Sequence, residues 1–121
     1  MTRTITLDTI DHGAVELPEP SWCIGHGAEL GGLTFRDDIT HNSVRVKAGA
    51  DTDRHGWLPM MAARISWAPF RELVPIVSVV LDVEHDFAAE DVPHVIQGLA
   101  DCIKRLDQVA TEAIRLRGEI T

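Results

Sequence analysis

Two pairs of residues near the N-terminus combine side chains that bind metal ions. Two residues separate Cys23 from His26, and two residues separate Asp38 from His41. This spacing lets a thiolate and an imidazole, or a carboxylate and an imidazole, converge on one ion. Zinc accepts mixed sulfur, nitrogen and carboxylate ligands, whereas magnesium and calcium prefer oxygen. The spacing therefore predicts a tetrahedral zinc site formed by Cys23, His26, Asp38 and His41.

The sulfur and the two imidazoles are the basis of this prediction, and the fourth ligand is open. The chain has six histidines, so accidental pairs are expected. A cysteine that follows a tryptophan is often a small buried hydrophobic residue, which leaves a metal-free interpretation beside the first. Asp38 can be replaced as the fourth ligand by Asp37, His12, His55 or a water molecule.

The predicted ligands lie in a long glycine-rich segment, residues 18–41. Pro18 and Pro20 lack backbone donors, and the pattern predicts that the preceding strand ends there. Irregular connections longer than about 12–15 residues are uncommon unless they are functional, internally tied or disordered. An ion that joins residue 23 to residue 41 would organise this segment, and its binding would contribute to folding.

The run Pro20-Ser21-Trp22-Cys23, followed by two downstream histidines, resembles an actinobacterial family of uncharacterised small proteins. Members of that family share a Pro-x-Trp-Cys…His…His signature, a β-rich middle and a C-terminal helix. The resemblance extends over the outline of the whole chain, and its specific part is residues 20–41. It implies an intracellular location, is compatible with a bound metal, and assigns no reaction.

The strand and helix patterns around these residues predict an α+β fold in a single domain. Alternating polar and apolar residues indicate a β-hairpin over residues 1–17 and three further strands within residues 42–84. Together they predict an antiparallel β-meander of about five strands. Residues 75–83 carry the strongest strand pattern, with nearly every position apolar or β-branched, and we expect them to form a central strand.

The apolar period changes after residue 90. Over residues 90–117 apolar side chains recur at spacings of three and four, which predicts one long amphipathic helix packed on one face of the sheet. Pro93 is compatible only with the first turn, so Glu90 or Asp91 is the expected cap. Such a helix is about 40 Å long, more than a small sheet can cover. We therefore expect a homodimer through the C-terminal helix, with residues 106–116 against a second copy.

Composition excludes several classes of protein. A chain of 121 residues fits one domain, and it contains no apolar run long enough to span a bilayer and no N-terminal hydrophobic segment typical of secretion. We therefore expect a cytoplasmic protein with reduced cysteines and no membrane partner. The net charge of −8 argues against nonspecific binding of nucleic acid.

These features favour a metal-stabilised, non-enzymatic interaction or regulatory domain, because the sequence contains no assembled nucleophile and base, and we assign no catalytic residue. One alternative is a zinc-dependent hydrolase in which Cys23, His26 and His41 hold the ion, water fills the fourth position, and Asp38 or Asp37 is the base. Another is a metal-free module that binds a protein partner along a sheet edge or the helix.

Overall fold

The computed structural model describes residues 3–26 and 33–120. It contains antiparallel strands in two sheets and one long C-terminal helix. The predicted α+β class, with a helix packed on one face of an antiparallel sheet, is confirmed.

The first sheet is an antiparallel hairpin of β1 (Arg3–Thr9) and β2 (Gly13–Glu19). Gly13 has a φ of 63° at the start of β2, a conformation that glycine adopts without steric cost. The second strand runs through Pro18 to Glu19, beyond the predicted end at residue 17. In a two-stranded sheet every second N–H points away from the partner strand, so a proline at such a position does not break the pairing.

The second sheet is built around one long strand, β5 (Gly56–Trp67). Its partners along the chain are β3 (His41–Asn42), β4 (Val46–Thr52) and β6 (Ile76–Leu81). Ser66 of β5 pairs with both Asn42 and Ile76. Strands β3 and β4 therefore follow one edge of β5, and β6 follows the other.

This arrangement corrects one prediction. The segment with the strongest strand pattern forms β6, an edge strand, and β5 takes the central place. An apolar run indicates that a strand has apolar residues on both faces, but it does not determine how many neighbours the strand has.

The helix α1 runs from Val92 to Ile120 and follows a short 3₁₀ turn, Ala89–Asp91. Pro93 lies in its first turn, as predicted. The side chain of Asp91 is buried, and its Oδ1 accepts a hydrogen bond from the backbone N–H of Asp53 at 3.2 Å. This bond attaches the start of the helix to the turn between β4 and β5.

The helix packs on the face of the sheet formed by β4 and β5, and the core lies between them. Gly98 marks the closest approach, because a Cβ at this position would lie 2.7 Å from the Gly49 carbonyl oxygen. The buried side chains of this core are Ala48, Ala50, Met60, Met61, Ala63, Ile65, Val95, Cys102, Val109, Ala113 and Leu116. In the part of the chain that the structure describes, no helix combines the length and apolarity needed to cross a bilayer.

Candidate metal centre

Four side chains from distant parts of the chain meet beside the second sheet. Glu19, Cys23, His26 and His41 each offer one ligand atom, and these atoms all lie within 4.8 Å of one another. His26 Nε2 is 3.0 Å from Glu19 Oε1, 3.3 Å from His41 Nδ1 and 3.7 Å from Cys23 Sγ. Three of the four predicted ligands are therefore brought together, and the fourth member of the cluster is a glutamate.

The separations between these atoms fit a tetrahedral ion. Zinc bonds of about 2.0–2.2 Å to nitrogen and oxygen and 2.3 Å to sulfur place neighbouring ligand atoms roughly 3.3–3.6 Å apart. The three separations measured from His26 Nε2 span 3.0 to 3.7 Å. These three separations are close to those of a tetrahedral zinc site, and the other three are no longer than 4.8 Å.

Two buried atoms of the cluster lack a hydrogen-bond partner among the described residues, Glu19 Oε1 and His41 Nε2. Glu19 Oε1 is close to His26 Nε2, but the two groups are not oriented for a hydrogen bond. Leaving a buried carboxylate oxygen unpaired is costly. A cation next to Oε1 would remove that cost.

Glu19 is positioned by the hairpin. It pairs in register with Arg3 on β1, and only 4% of its side chain is exposed. The Arg3 guanidinium donates to Glu19 Oε2 from Nε at 3.2 Å and from Nη2 at 3.0 Å. Because Arg3 occupies Oε2, the other oxygen, Oε1, is the one directed at the cluster.

Cys23 and His26 are positioned by a tight turn after β2. The Cys23 N–H donates to the Pro20 carbonyl at 3.1 Å, and the Ile24 N–H donates to the Asn42 carbonyl at 2.9 Å. The turn is therefore attached to β3. Gly25 has a φ of 100°, which is strained for other residues, and its N–H lies 3.4 Å from Cys23 Sγ. This conformation turns the chain so that Cys23 and His26 converge.

His41 is positioned by β3, where it pairs with Trp67. Its side chain is fully buried, and its ring lies 5.8 Å from the Trp67 ring, 6.4 Å from the Trp22 ring and 5.3 Å from the His26 ring. The two tryptophans therefore flank the buried imidazole of His41.

The protonation of the cluster suits cation binding. Burial, together with the neighbouring His26, lowers the pKa of His41 to about 4, so its imidazole is neutral at neutral pH. Burial opposes ionisation of Glu19, but the hydrogen bonds from Arg3 and the nearby Cys23 and His26 outweigh it and lower the pKa of the carboxyl. Burial raises the pKa of Cys23, although N–H groups of Gly25 and Asn42 oppose this. Binding an ion would therefore release a proton from Cys23.

Asp38, predicted as the fourth ligand, lies outside this cluster. It ends a 3₁₀ turn, Arg36–Asp38, and its carboxylate is half exposed, with Oδ1 3.4 Å from Arg71 Nη1. The alternatives considered with it are also engaged elsewhere. Asp37 contacts Arg36, His12 contacts Asp11, and His55 Nε2 lies 2.9 Å from the Asp86 carbonyl oxygen.

The sequence contains only a weak signal for Glu19. The residue lies between Pro18 and Pro20, where we expected the strand to have ended, four positions before Cys23. Its role depends on strand β2 continuing through Pro18 and pairing with Arg3. A buried acidic residue at the end of a strand, opposite an arginine, is the pattern that identifies it in retrospect.

The fold and the cluster define an α+β domain whose N-terminal hairpin and second sheet meet at a buried Glu, Cys and two His that could hold a metal ion. The chain belongs to the family described as Domain of unknown function (DUF6907), which matches residues 4–117 and so includes all four cluster residues. No curated protein and no solved structure matches this chain.

Proposed function

We propose that this protein is a non-enzymatic interaction domain stabilised by one zinc ion, which Glu19, Cys23, His26 and His41 bind. The observation that carries this proposal is the spacing of four donor atoms around one point, with His26 Nε2 within 3.0–3.7 Å of the other three. Glu19 Oε1, which is buried without a hydrogen bond among the described residues, also supports it.

Zinc is favoured by the donors themselves. One sulfur, two imidazole nitrogens and one carboxylate oxygen form a mixed set that zinc accepts and that magnesium and calcium do not prefer. The thiolate of Cys23 and the carboxylate of Glu19 together carry two negative charges. They neutralise a divalent cation, so the loaded site places no net charge among buried side chains.

A structural role is favoured over a hydrolytic one because the set is closed. Catalytic zinc sites keep three protein ligands and leave a fourth position for water, whereas structural sites use four protein ligands. Here Glu19 lies where the hydrolase alternative needs a water molecule. His41 is fully buried and Glu19 nearly so, whereas Cys23 and His26 are half-buried, so a structural role is inferred from the four protein donors.

The ion would join three segments that otherwise share few polar contacts. At the turn of the hairpin, the Ile10 N–H donates to the Thr34 carbonyl and the Arg36 N–H donates to Asp11 Oδ1, each at 2.9 Å. At the opposite end, the hairpin meets the second sheet through the cluster. Zinc would thus hold the end of β2 and the following turn against β3. The energy of metal binding would then be folding energy.

Metal analysis of protein purified without chelator tests the proposal. We expect about one zinc per chain, and removal of the ion should lower the midpoint of thermal unfolding. A content below about 0.3 zinc per chain after refolding with added zinc would refute the metal site and favour a metal-free interaction module.

Cobalt substitution distinguishes the structural site from the hydrolase. A closed tetrahedral site with one thiolate should show intense visible absorption and a sulfur-to-cobalt charge-transfer band. Both should be insensitive to azide or other small anions, because no position is open. A weak five-coordinate spectrum that changes with anions would favour the hydrolase. The proposal includes a cytoplasmic location, where a thiolate ligand stays reduced.

A further inference from the structure

Within residues 3–26 and 33–120, no segment pairs with the outer edge of β6. Its sequence is Ile-Val-Ser-Val-Val-Leu, with no charge and no proline, and among the described residues β6 pairs only with β5. Val80 and Leu81 are 54% and 65% exposed. Edge strands of natural proteins usually carry charged residues, prolines or covering segments that prevent association.

The opposite edge of the same sheet shows such protection. Lys47 lies on β4 with its side chain exposed, and the guanidinium of Arg105 donates to the Lys47 carbonyl at 3.0 Å. A lysine and an arginine therefore occupy the outer edge of β4. The contrast between the two edges indicates that the lack of protection along β6 is specific to that side of the molecule.

One flank of the helix is also apolar and uncovered. Ile96, Leu99 and Ile103 follow a spacing of three and four, and are 61%, 38% and 72% exposed. At about 100° per residue they lie on the opposite side of the buried stripe from Arg105. Because Arg105 reaches the outer edge of β4, the flank with Ile96, Leu99 and Ile103 is directed toward β6.

The helix-facing side of β6 borders this flank. Val79 and Leu81 pair in register with Ala63 and Met61, which are buried beneath the helix. The side chains of Val79 and Leu81 lie on the same face of the sheet, yet they are 41% and 65% exposed. Val77, on the same face, packs against the core, but the helix leaves Val79 and Leu81 partly exposed, and these two residues and the helix flank form one apolar surface.

We propose that this surface is the interface of a two-fold homodimer, in which the β6 strands of two copies pair antiparallel and the exposed helix flanks cover the extended sheet. An antiparallel pair of identical strands is self-complementary, as a two-fold axis requires. The pairing would also satisfy the free backbone groups along both edges. A second copy of the chain carries the same surface, so each copy can supply the strand and the apolar flank that the other needs.

The area of the surface is sufficient for such a dimer. An aliphatic side chain carries roughly 60–120 Å² of apolar surface, so the exposed fractions of nine such residues sum to roughly 400 Å². Since about 57% of a typical interface is apolar, this corresponds to roughly 700 Å² per copy, near the ~800 Å² that standard interfaces bury. The nine residues are Ile76, Val79, Val80, Leu81, Val83, Val92, Ile96, Leu99 and Ile103. Ile76 and Val80 point to the face of β6 away from the helix, where the pairing of two β6 strands would also cover them.

The interface differs in place from the one expected from the sequence. Val109, Ala113 and Leu116 lie within the segment predicted to contact a second copy, residues 106–116, and they are buried in the chain's own core. The exposed apolar flank lies mainly in the first half of the helix, beside β6, and Ile114, 61% exposed, continues it within residues 106–116.

Sedimentation equilibrium of the full, zinc-loaded chain tests the proposal. At about 100 µM we expect twice the 13.3 kDa of one chain. Val80→Lys places a charge on the proposed interface and should give a monomer with an unchanged circular dichroism spectrum. Val44→Lys is the matched control, because Val44 is 67% exposed but lies between β3 and β4, at the edge of the sheet opposite to β6. This variant should remain dimeric.

Hydrogen exchange of residues 76–81 provides a second measurement that does not depend on a variant. The backbone amides of β6 should exchange about tenfold more slowly in the dimer than after dilution to monomer, whereas those of β1 should not change. A wild-type monomer at about 100 µM would overturn the proposal and point to a different partner for the surface. A dimer that persists in Val80→Lys, without concentration-dependent protection of β6, would place the contact elsewhere. Neither result bears on the metal site, which is measured by zinc content.

Discussion

Replacing Glu19 with glutamine tests the fourth ligand, the one feature of the metal centre that the sequence did not indicate. Glutamine keeps the shape of the side chain and an oxygen donor but removes its charge. With Cys23 as the only anionic ligand, the loaded site would keep one uncompensated positive charge beside the fully buried His41. We therefore expect Glu19→Gln to weaken zinc binding strongly.

The size of the effect follows from typical structural sites. Four ligands together contribute about 10–16 kcal/mol of apparent binding free energy, so one ligand accounts for about 3 kcal/mol, or roughly 100-fold in affinity. At a fixed excess of zinc, a 100-fold weaker site stabilises the folded state by about 2.7 kcal/mol less. For a domain of this size the zinc-dependent increase in unfolding temperature should shrink by about 10 °C.

The metal-free protein should respond differently to the same change. In the absence of an ion, burial opposes ionisation of Glu19, but Arg3 and the neighbouring Cys23 and His26 still hold the pKa of its carboxyl below the usual value, so the folded chain favours the charged side chain. Arg3 loses its carboxylate partner, but 76% of its side chain is exposed and water can replace that partner. We expect the metal-free variant to unfold at a slightly lower temperature than the metal-free wild type, so the zinc-dependent shift of each variant is measured against its own metal-free midpoint.

The assay is thermal unfolding with excess zinc and with chelator, combined with competition against a chromophoric chelator for affinity. Glu16→Gln is the matched control, because Glu16 lies on the same strand with its side chain exposed. Asp38→Asn tests the ligand predicted from the sequence. Both controls should keep the full zinc-dependent shift. If Glu19→Gln kept it and Asp38→Asn lost it, the ligand assignment from the structure would be wrong.

Three further predictions concern the site and its support. Arg3→Ala should weaken zinc binding by about 10–100-fold, because Arg3 holds Glu19 Oε2; calorimetric titration would measure this, and unchanged affinity would contradict it. The pKa of His41 is lowered to about 4 from 6.5, so the unfolded chain takes up its proton first as the pH falls. Metal-free protein should thus lose about 2 kcal/mol of stability between pH 7 and pH 5 in urea titrations, and equal stability at both would refute the burial argument. Gly98→Ala should destabilise the folded protein by about 1–3 kcal/mol despite the higher helix propensity of alanine, because its Cβ would lie 2.7 Å from a backbone oxygen. Gly118→Ala is the control: an added Cβ there meets nothing within 4 Å, so this variant should be neutral or stabilising. Similar unfolding midpoints for these two variants would contradict the packing described here.

The helix and the hairpin could be predicted because their patterns are local. Apolar residues at spacings of three and four place one stripe along α1, and Pro93 restricts where the helix begins. The turn at Gly13 follows from the ability of glycine to adopt a positive φ. Cys23 and His26 could be identified in the same way, since two intervening residues are enough to bring their side chains together.

The arrangement of the sheet could not be predicted from such patterns. The apolar run of β6 resembles a central strand, yet the long β5 pairs on both of its edges and leaves β6 at the margin. Pairing depends on contacts between segments far apart in sequence, and the composition of one strand does not specify how many neighbours it has. The uncovered surface along β6 is visible only once these neighbours are known.

From the sequence alone one can establish the class of fold, the long amphipathic helix, and the Cys23–His26 pair suited to one ion. Each of these depends on residue type and short spacing, which local backbone geometry converts directly into position. The tertiary structure decided that Glu19, and not Asp38, completes the cluster, and that β6 with one helix flank stays exposed. Both outcomes depend on the pairing of distant strands and on the direction in which buried side chains point, and no local pattern encodes these.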